Sequence, residues 1–261
     1  MRVLSRVLAI LVCTTALLCS PAAQAGGSIM VAAAADLKFA MDEIVAAFRK
    51  TRPDDRIEVI YGSSGKFHTQ IQQGAPFDLY FSADIAFAKS LESEGFAASP
   101  TRPYAVGRIV LWSNSRDASN MKLEDLLDPT IVKIAIANPR HAPYGRRAEE
   151  ALRSAGLWDK VQDRLVLGEN IAQTAQFVQT GNAQVGIIAL ALALNPTLVK
   201  AGGYALIDDA LHEPLEQGFI VTRQAASKPL AVAFADFISG PEARDIMVRY
   251  GFVLPDEAST N

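Results

Sequence analysis

Cysteine is confined to the first 25 residues of this chain, at Cys13 and Cys19. The remainder therefore has no disulfide, no thiol nucleophile and no thiolate metal site. Histidine is scarce as well. His68, His141 and His212 lie far apart in sequence, without metal-ligand spacing, so surface or capping roles are expected of them. Runs of Lys and Arg are missing and acidic residues are in excess, which argues against a nucleic-acid partner. Past the N-terminal segment, no stretch is long and apolar enough to cross a bilayer. Gly62 and Gly65 are not followed by the Gly-Lys-Ser/Thr of a phosphate loop. Internal repeats and low-complexity segments are also lacking.

What is present is ample core. Half of the 261 residues are apolar, enough for one or two globular domains. Residues 1–25 read as a secretory signal peptide, with Arg2 and Arg6 as the positive region. Leu8 to Leu18 is the apolar stretch, and Ala23-Gln24-Ala25 is a small-x-small cleavage site. The bulky Leu18 before Cys19 disfavours a lipid anchor. Loss of Arg2 and Arg6 with the signal leaves 23 basic against 28 acidic residues, a net charge of −5. An exported protein is expected.

Beyond the signal, strand and helix patterns alternate with short connections, the mark of a parallel α/β sheet. Ile29 to Ala33, Ile57 to Tyr61 and Phe77 to Phe81 read as strands. Helical stripes follow each, and Gly74 and Gly95 close the second and third. A break at Ser99-Pro-Thr-Arg-Pro103 leads into a long apolar run, Tyr104 to Trp112, a candidate crossover to a second lobe. Strands at Val132–Ala137, Leu165–Leu167 and Val185–Leu190 come next, then Tyr204–Ile207 and Phe219–Thr222. Helices are expected at Arg146–Ala155, at Ile171–Thr180 and in two final segments, Pro229–Ile238 and Glu242–Tyr250.

Four of the helices open on turns with capping or small residues, at Asp36, Ser64, Tyr144 and Asn170–Ile171. The sharpest is Tyr61-Gly-Ser-Ser-Gly65, where Ser63 and Ser64 stand at a strand-to-helix turn. A helix start carries unpaired N–H donors and the positive end of the dipole, which suits an anion. Ligands of open α/β sheets sit at the carboxyl ends of strands, where such turns lie. Two of the turns precede the proline-rich break and two follow it. A cleft lined by two helix starts from each lobe is the expectation.

Several blocks carry a resemblance. Residues 31–41, VAAAADLKFAM, come first, followed by Tyr61–Gly65, Gly74–Asp78 and Phe81–Asp84. Asn138-Pro-Arg-His-Ala-Pro-Tyr-Gly145, Gly240–Ala243 and Tyr250–Phe252 complete the set. Together they resemble the periplasmic molybdate-binding proteins of ABC importers, across nearly the whole mature chain. The resemblance implies a two-lobed periplasmic binding fold of type II, with residues 26–104 plus 215–261 as one lobe and 105–214 as the other. It implies capture of molybdate, with tungstate a further candidate, and delivery to the membrane permease of the importer. The ion would be held by hydroxyls and backbone N–H groups. Ser64 matches a position giving a hydroxyl and an N–H, and Tyr144 and Ile171 match positions giving backbone N–H groups. Ser63 and Asn170 would be further cleft residues. No cofactor besides the carried ion is implied, and a monomer is expected. The alternatives are a binding protein of the same fold for sulfate, phosphate or chromate, and a periplasmic enzyme. The latter is disfavoured because no acid, base and nucleophile set appears.

Two positions depart from the family pattern. Ala189 stands where some members have a ligand-contacting Tyr. Asp36 stands where many have Ser or Thr, and a carboxylate facing a dianion is repulsive. Three readings of Asp36 are open. It caps its own helix, which is the preferred one. It is protonated, or shares a proton with the oxyanion. Or it coordinates the metal centre directly.

Overall fold

The computed structural model describes residues 26–195 and 203–255. The expected signal peptide, with Cys13 and Cys19, lies outside the described residues. So does the chain end after Pro255.

Two five-stranded mixed sheets organise the chain. The first contains β1 (Ser28–Ala34), β2 (Arg56–Gly62), β3 (Leu79–Ser82), β4 (Arg102–Gly107) and β10 (Leu215–Val221), in the order β2-β1-β3-β10-β4. β1 runs parallel to β2 and β3, and β10 runs antiparallel to β3 and β4. The second contains β5 (Ile109–Trp112), β6 (Ile134–Ala137), β7 (Leu165–Gly168), β8 (Val185–Ala189) and β9 (Tyr204–Leu206), in the order β7-β6-β8-β5-β9. Again three strands are parallel and β5 is antiparallel to both neighbours. Each sheet centres one lobe.

The strand sequences follow from their positions. β6 and β8 are buried along their whole length and read as unbroken apolar runs, as strands covered on both faces must. β2 is an edge strand and alternates between more and less exposed residues. Helices α1 (Lys38–Arg49), α8 (Pro229–Ile238) and α9 (Pro241–Arg249) cover the first sheet with Met41, Ile44, Phe48, Phe234 and Ile246. α2 (Ser64–Gln72) and α3 (Ile85–Ser93) cover its other face. In the second lobe α4 (Pro143–Ser154), the short α5 (Trp158–Val161), α6 (Ile171–Gln179) and the short α7 (Leu190–Ala193) pack around Trp112, Ile136 and Ile187. The glycines expected to close helices, Gly74 and Gly95, have positive φ, as do Gly156 and Gly181 after α4 and α6.

Several boundaries differ from expectation. The apolar run 104–112 is two strands in different sheets, interrupted at the charged Arg108. The chain therefore passes to the second sheet after Gly107, later than the expected boundary at residue 104. α4 begins at Pro143 rather than Arg146, because proline is suited to a first helical position. β10 begins at Leu215, ahead of the expected Phe219. Asp36 lies inside a 3₁₀ turn, Ala35–Leu37, which precedes α1. That turn has no side-chain cap.

No helix among the described residues is long and apolar enough to cross a membrane.

Candidate functional site

Asp36 is only 1 % exposed and sits between the lobes. Its Oδ2 accepts a hydrogen bond from the Tyr144 hydroxyl at 3.0 Å and from Gln217 Nε2 at 2.9 Å. The expectation that Asp36 caps its own helix is therefore corrected. Its side chain is turned to partners from α4 and β10. Gln217 is held by donors and acceptors on both ends of its amide. Tyr104 donates to Gln217 Oε1 at 2.6 Å, and Nε2 also donates to the Tyr144 oxygen at 3.0 Å. Gly107 permits this approach, because a Cβ there would stand 2.3 Å from the Tyr144 oxygen and 2.6 Å from Gln217 Nε2. One atom of the cluster has no protein partner, Asp36 Oδ1, and it too is buried.

Burial raises the Asp36 carboxyl from an ordinary 3.8 to about 6, against the lowering effect of the Gln217 and Tyr144 hydrogen bonds and the nearby N–H groups of Asp36 and Leu37. The phenols of Tyr104 and Tyr144 are pushed well above their usual range, first by burial and then by the Asp36 charge, and stay neutral.

Ser63 and Ser64 occupy the turn between β2 and α2, and both are buried. Ser63 stands at the N-cap position but makes no side-chain cap hydrogen bond. Its hydroxyl lies 3.0 Å from His141 Nδ1 in the other lobe, and the Gly65 N–H donates to the His141 carbonyl at 2.9 Å. The Ser64 hydroxyl oxygen accepts from the Ala83 N–H at 3.0 Å, and its carbonyl accepts from Tyr80. A hydroxyl that already accepts has its proton left to donate.

Ile171 is the first residue of α6 and is buried. Asn170 caps that helix through Oδ1, which accepts from the Gln173 N–H at 3.0 Å. The N–H groups of Ile171 and Ala172 precede any intrahelical acceptor, as does that of Tyr144 in α4. α6 packs against the 35–37 turn, so this helix start approaches Asp36 from the second lobe. Ala189 ends β8 and is fully buried, and it contributes no polar side chain. α7, directly after it, packs on the same turn.

Charge pairs ring the rim. Lys66 pairs with Glu169 across the lobes, Glu169 lies 4.0 Å from His141 Nε2, and Arg146 Nη1 lies 3.7 Å from Asp84 Oδ2. Asp84 also caps α3 through the Ala86 N–H. Burial holds the His141 ring below its usual value, with Glu169 opposing. The sites named from sequence thus separate into kinds. Asp36 and Tyr144 touch, Ser63 reaches His141, the helices that begin at Ile171 and just after Ala189 pack on the Asp36 turn, and Ser64 is buried against Ala83 and Tyr80. Gln217, Tyr104, His141 and the Lys66–Glu169 pair were not anticipated as site residues. For Gln217 a signal existed, since it shares a strand face with Leu215 and Phe219, both buried.

The fold resembles known structures. The family model described as bacterial extracellular solute-binding protein matches residues 29–253. The chain belongs to this family. Within it, the molybdate-binding protein ModA of Rhodobacter capsulatus is 35% identical over 234 residues, 88% of this chain and 89% of that protein. ModA of Azotobacter vinelandii is also 35% identical, over 89% of this chain and 92% of its own length. The solved periplasmic molybdate-binding protein of Azotobacter vinelandii superposes with a TM-score of 0.81 at 31% identity, covering 87% of this chain and 99% of that one.

Proposed function

We propose that this chain captures molybdate, and tungstate as a close analogue, between its two lobes and delivers it to the permease of an ABC importer. The observation that carries the reading is a set of buried donors on turns of both lobes, the Ser64 hydroxyl and the helix starts at Ser64, Tyr144 and Ile171, and we take these as the groups that hold the ion. None of these residues is a cation. Helix N-termini and hydroxyls suit a compact tetrahedral oxyanion, whose four oxygens each accept such donors. The names of the relatives support the choice of ion. The protein acts as a monomer in the periplasm after loss of residues 1–25, and needs no cofactor. The test is calorimetry on the signal-free chain with molybdate, tungstate, sulfate, phosphate and chromate. Binding of molybdate or tungstate above the others supports the reading. Preference for sulfate or phosphate would replace the ion while keeping the site. Turnover of a bound ester would instead point to catalysis.

A further inference from the structure

We propose that the oxyanion enters this site together with one proton, held on Asp36 Oδ1. The inference rests on the oxyanion reading above and deepens it. Three observations lead there. Asp36 Oδ2 is already occupied by two donors, Tyr144 and Gln217. A proton on the carboxyl therefore belongs on Oδ1, which is buried and has no protein partner. A protonated Oδ1 is a hydrogen-bond donor, the same kind of group that the Ser64 hydroxyl and the surrounding N–H groups present. The acid then joins the ring of donors instead of opposing the ligand.

The second point is the lack of a counter-charge. The groups facing Asp36 from α4, β10 and β4 are Tyr144, Gln217 and Tyr104, and all are neutral. α6 and α7, which pack on its turn, contain no ionisable residue. On α1 and β2, Lys38 pairs with Asp42, and Tyr61 donates to Asp42. At the rim, Lys66 is paired with Glu169 and Arg146 with Asp84. An ionised Asp36 would thus meet a dianion at a buried position where, among the described residues, none of these elements supplies an unpaired cation. Protonation removes that conflict.

The third point is that burial already shifts the carboxyl toward its neutral form before any ligand arrives. A bound dianion strengthens that shift. The balance is simple. The carboxylate, one proton from solvent and the free dianion give a complex in which the carboxyl is neutral and the ligand keeps its charge.

The test is calorimetric titration of molybdate into the full mature protein at about pH 8, in two buffers of different ionisation enthalpy, which counts the protons taken up. About one proton per ion is expected for the wild type, and Kd should rise about tenfold per pH unit between roughly pH 7 and 9. Asp36→Asn cannot ionise, so its proton count should fall to about zero and its Kd should be flat with pH. Wild-type binding without proton uptake, at a Kd independent of pH, would overturn the inference and leave the functional reading standing. Uptake that persists in a folded Asp36→Asn would also overturn it, by placing the proton elsewhere. If the variant does not fold, the wild-type proton count decides. No heat with molybdate or tungstate at any pH would reject the functional reading itself.

Discussion

The buried carboxyl of Asp36 also makes a prediction about the ligand-free protein. Its value is raised from an ordinary 3.8 to about 6. A group whose folded value is raised contributes stability that is complete below the unfolded value and is lost as pH rises through the folded one. The window is therefore about pH 3 to 7, and the loss across it amounts to about 3 kcal/mol. Asp36→Asn removes the ionisation but keeps an acceptor oxygen for Tyr144 and Gln217. Relative to this variant, the wild type should lose about 3 kcal/mol between about pH 3 and pH 7.5. For a chain of this size that corresponds to roughly 6–12 °C in Tm. The constant offset between the two proteins reflects the new amide and decides nothing. The slope of their difference with pH is the diagnostic quantity. Urea unfolding of both proteins, without ligand, at steps across that window measures it. Parallel stability profiles would refute the reasoning, because they would show that Asp36 ionises as easily in the folded chain as in the unfolded one.

Other outcomes can be checked alongside. Ser64→Ala should weaken molybdate binding by about 1–3 kcal/mol, through loss of a hydrogen bond to a desolvated charge. Unchanged calorimetric affinity in a folded variant would remove this turn from the site. Gly107→Ala should destabilise the protein by about 1–3 kcal/mol, because its Cβ meets Tyr144 and Gln217, and an unchanged urea midpoint would count against the packing described. Lys66→Ala cuts an ion pair whose side chains are about half exposed, so the ligand off-rate should change by no more than the equivalent of about 1 kcal/mol, and less in high salt. Molybdate should raise Tm by mass action and compact the protein in small-angle scattering, whereas identical profiles would argue against closure on the ion.

Much of the fold was legible because α/β alternation writes itself locally. The apolar runs of β6 and β8 and the glycines after the helices are decisions of a few neighbouring residues each. The division of residues 104–112 was harder. One charged residue, Arg108, splits a run whose hydropathy is otherwise continuous, and only pairing with β10 and β8 shows that its halves belong to different sheets. The site divides in the same way. Its turns were readable from capping residues and from family blocks. The conduct of the side chains was not, since it depends on partners far along the chain. Asp36 looked like a cap because Asp before an apolar stripe usually is one, but Tyr144 and Gln217 compete for its carboxyl. Ser63 stands where a cap belongs, yet its hydroxyl is next to His141.

The crossing at Arg108 has a mechanical consequence. Its carbonyl accepts from the Leu190 N–H at the end of β8, and its guanidinium reaches the Gly251 carbonyl at 3.3 Å. Just beyond, Val253 exchanges backbone hydrogen bonds with Val106, while Phe252 and Leu254 are buried in the first lobe. The last described residues therefore lie like a splint along the pivot between the lobes. Trimming the chain back past Phe252 would leave every donor around Asp36 in place and still slacken the joint that aligns them. Capture of the ion would then be governed from the tail, at a point no ligand touches.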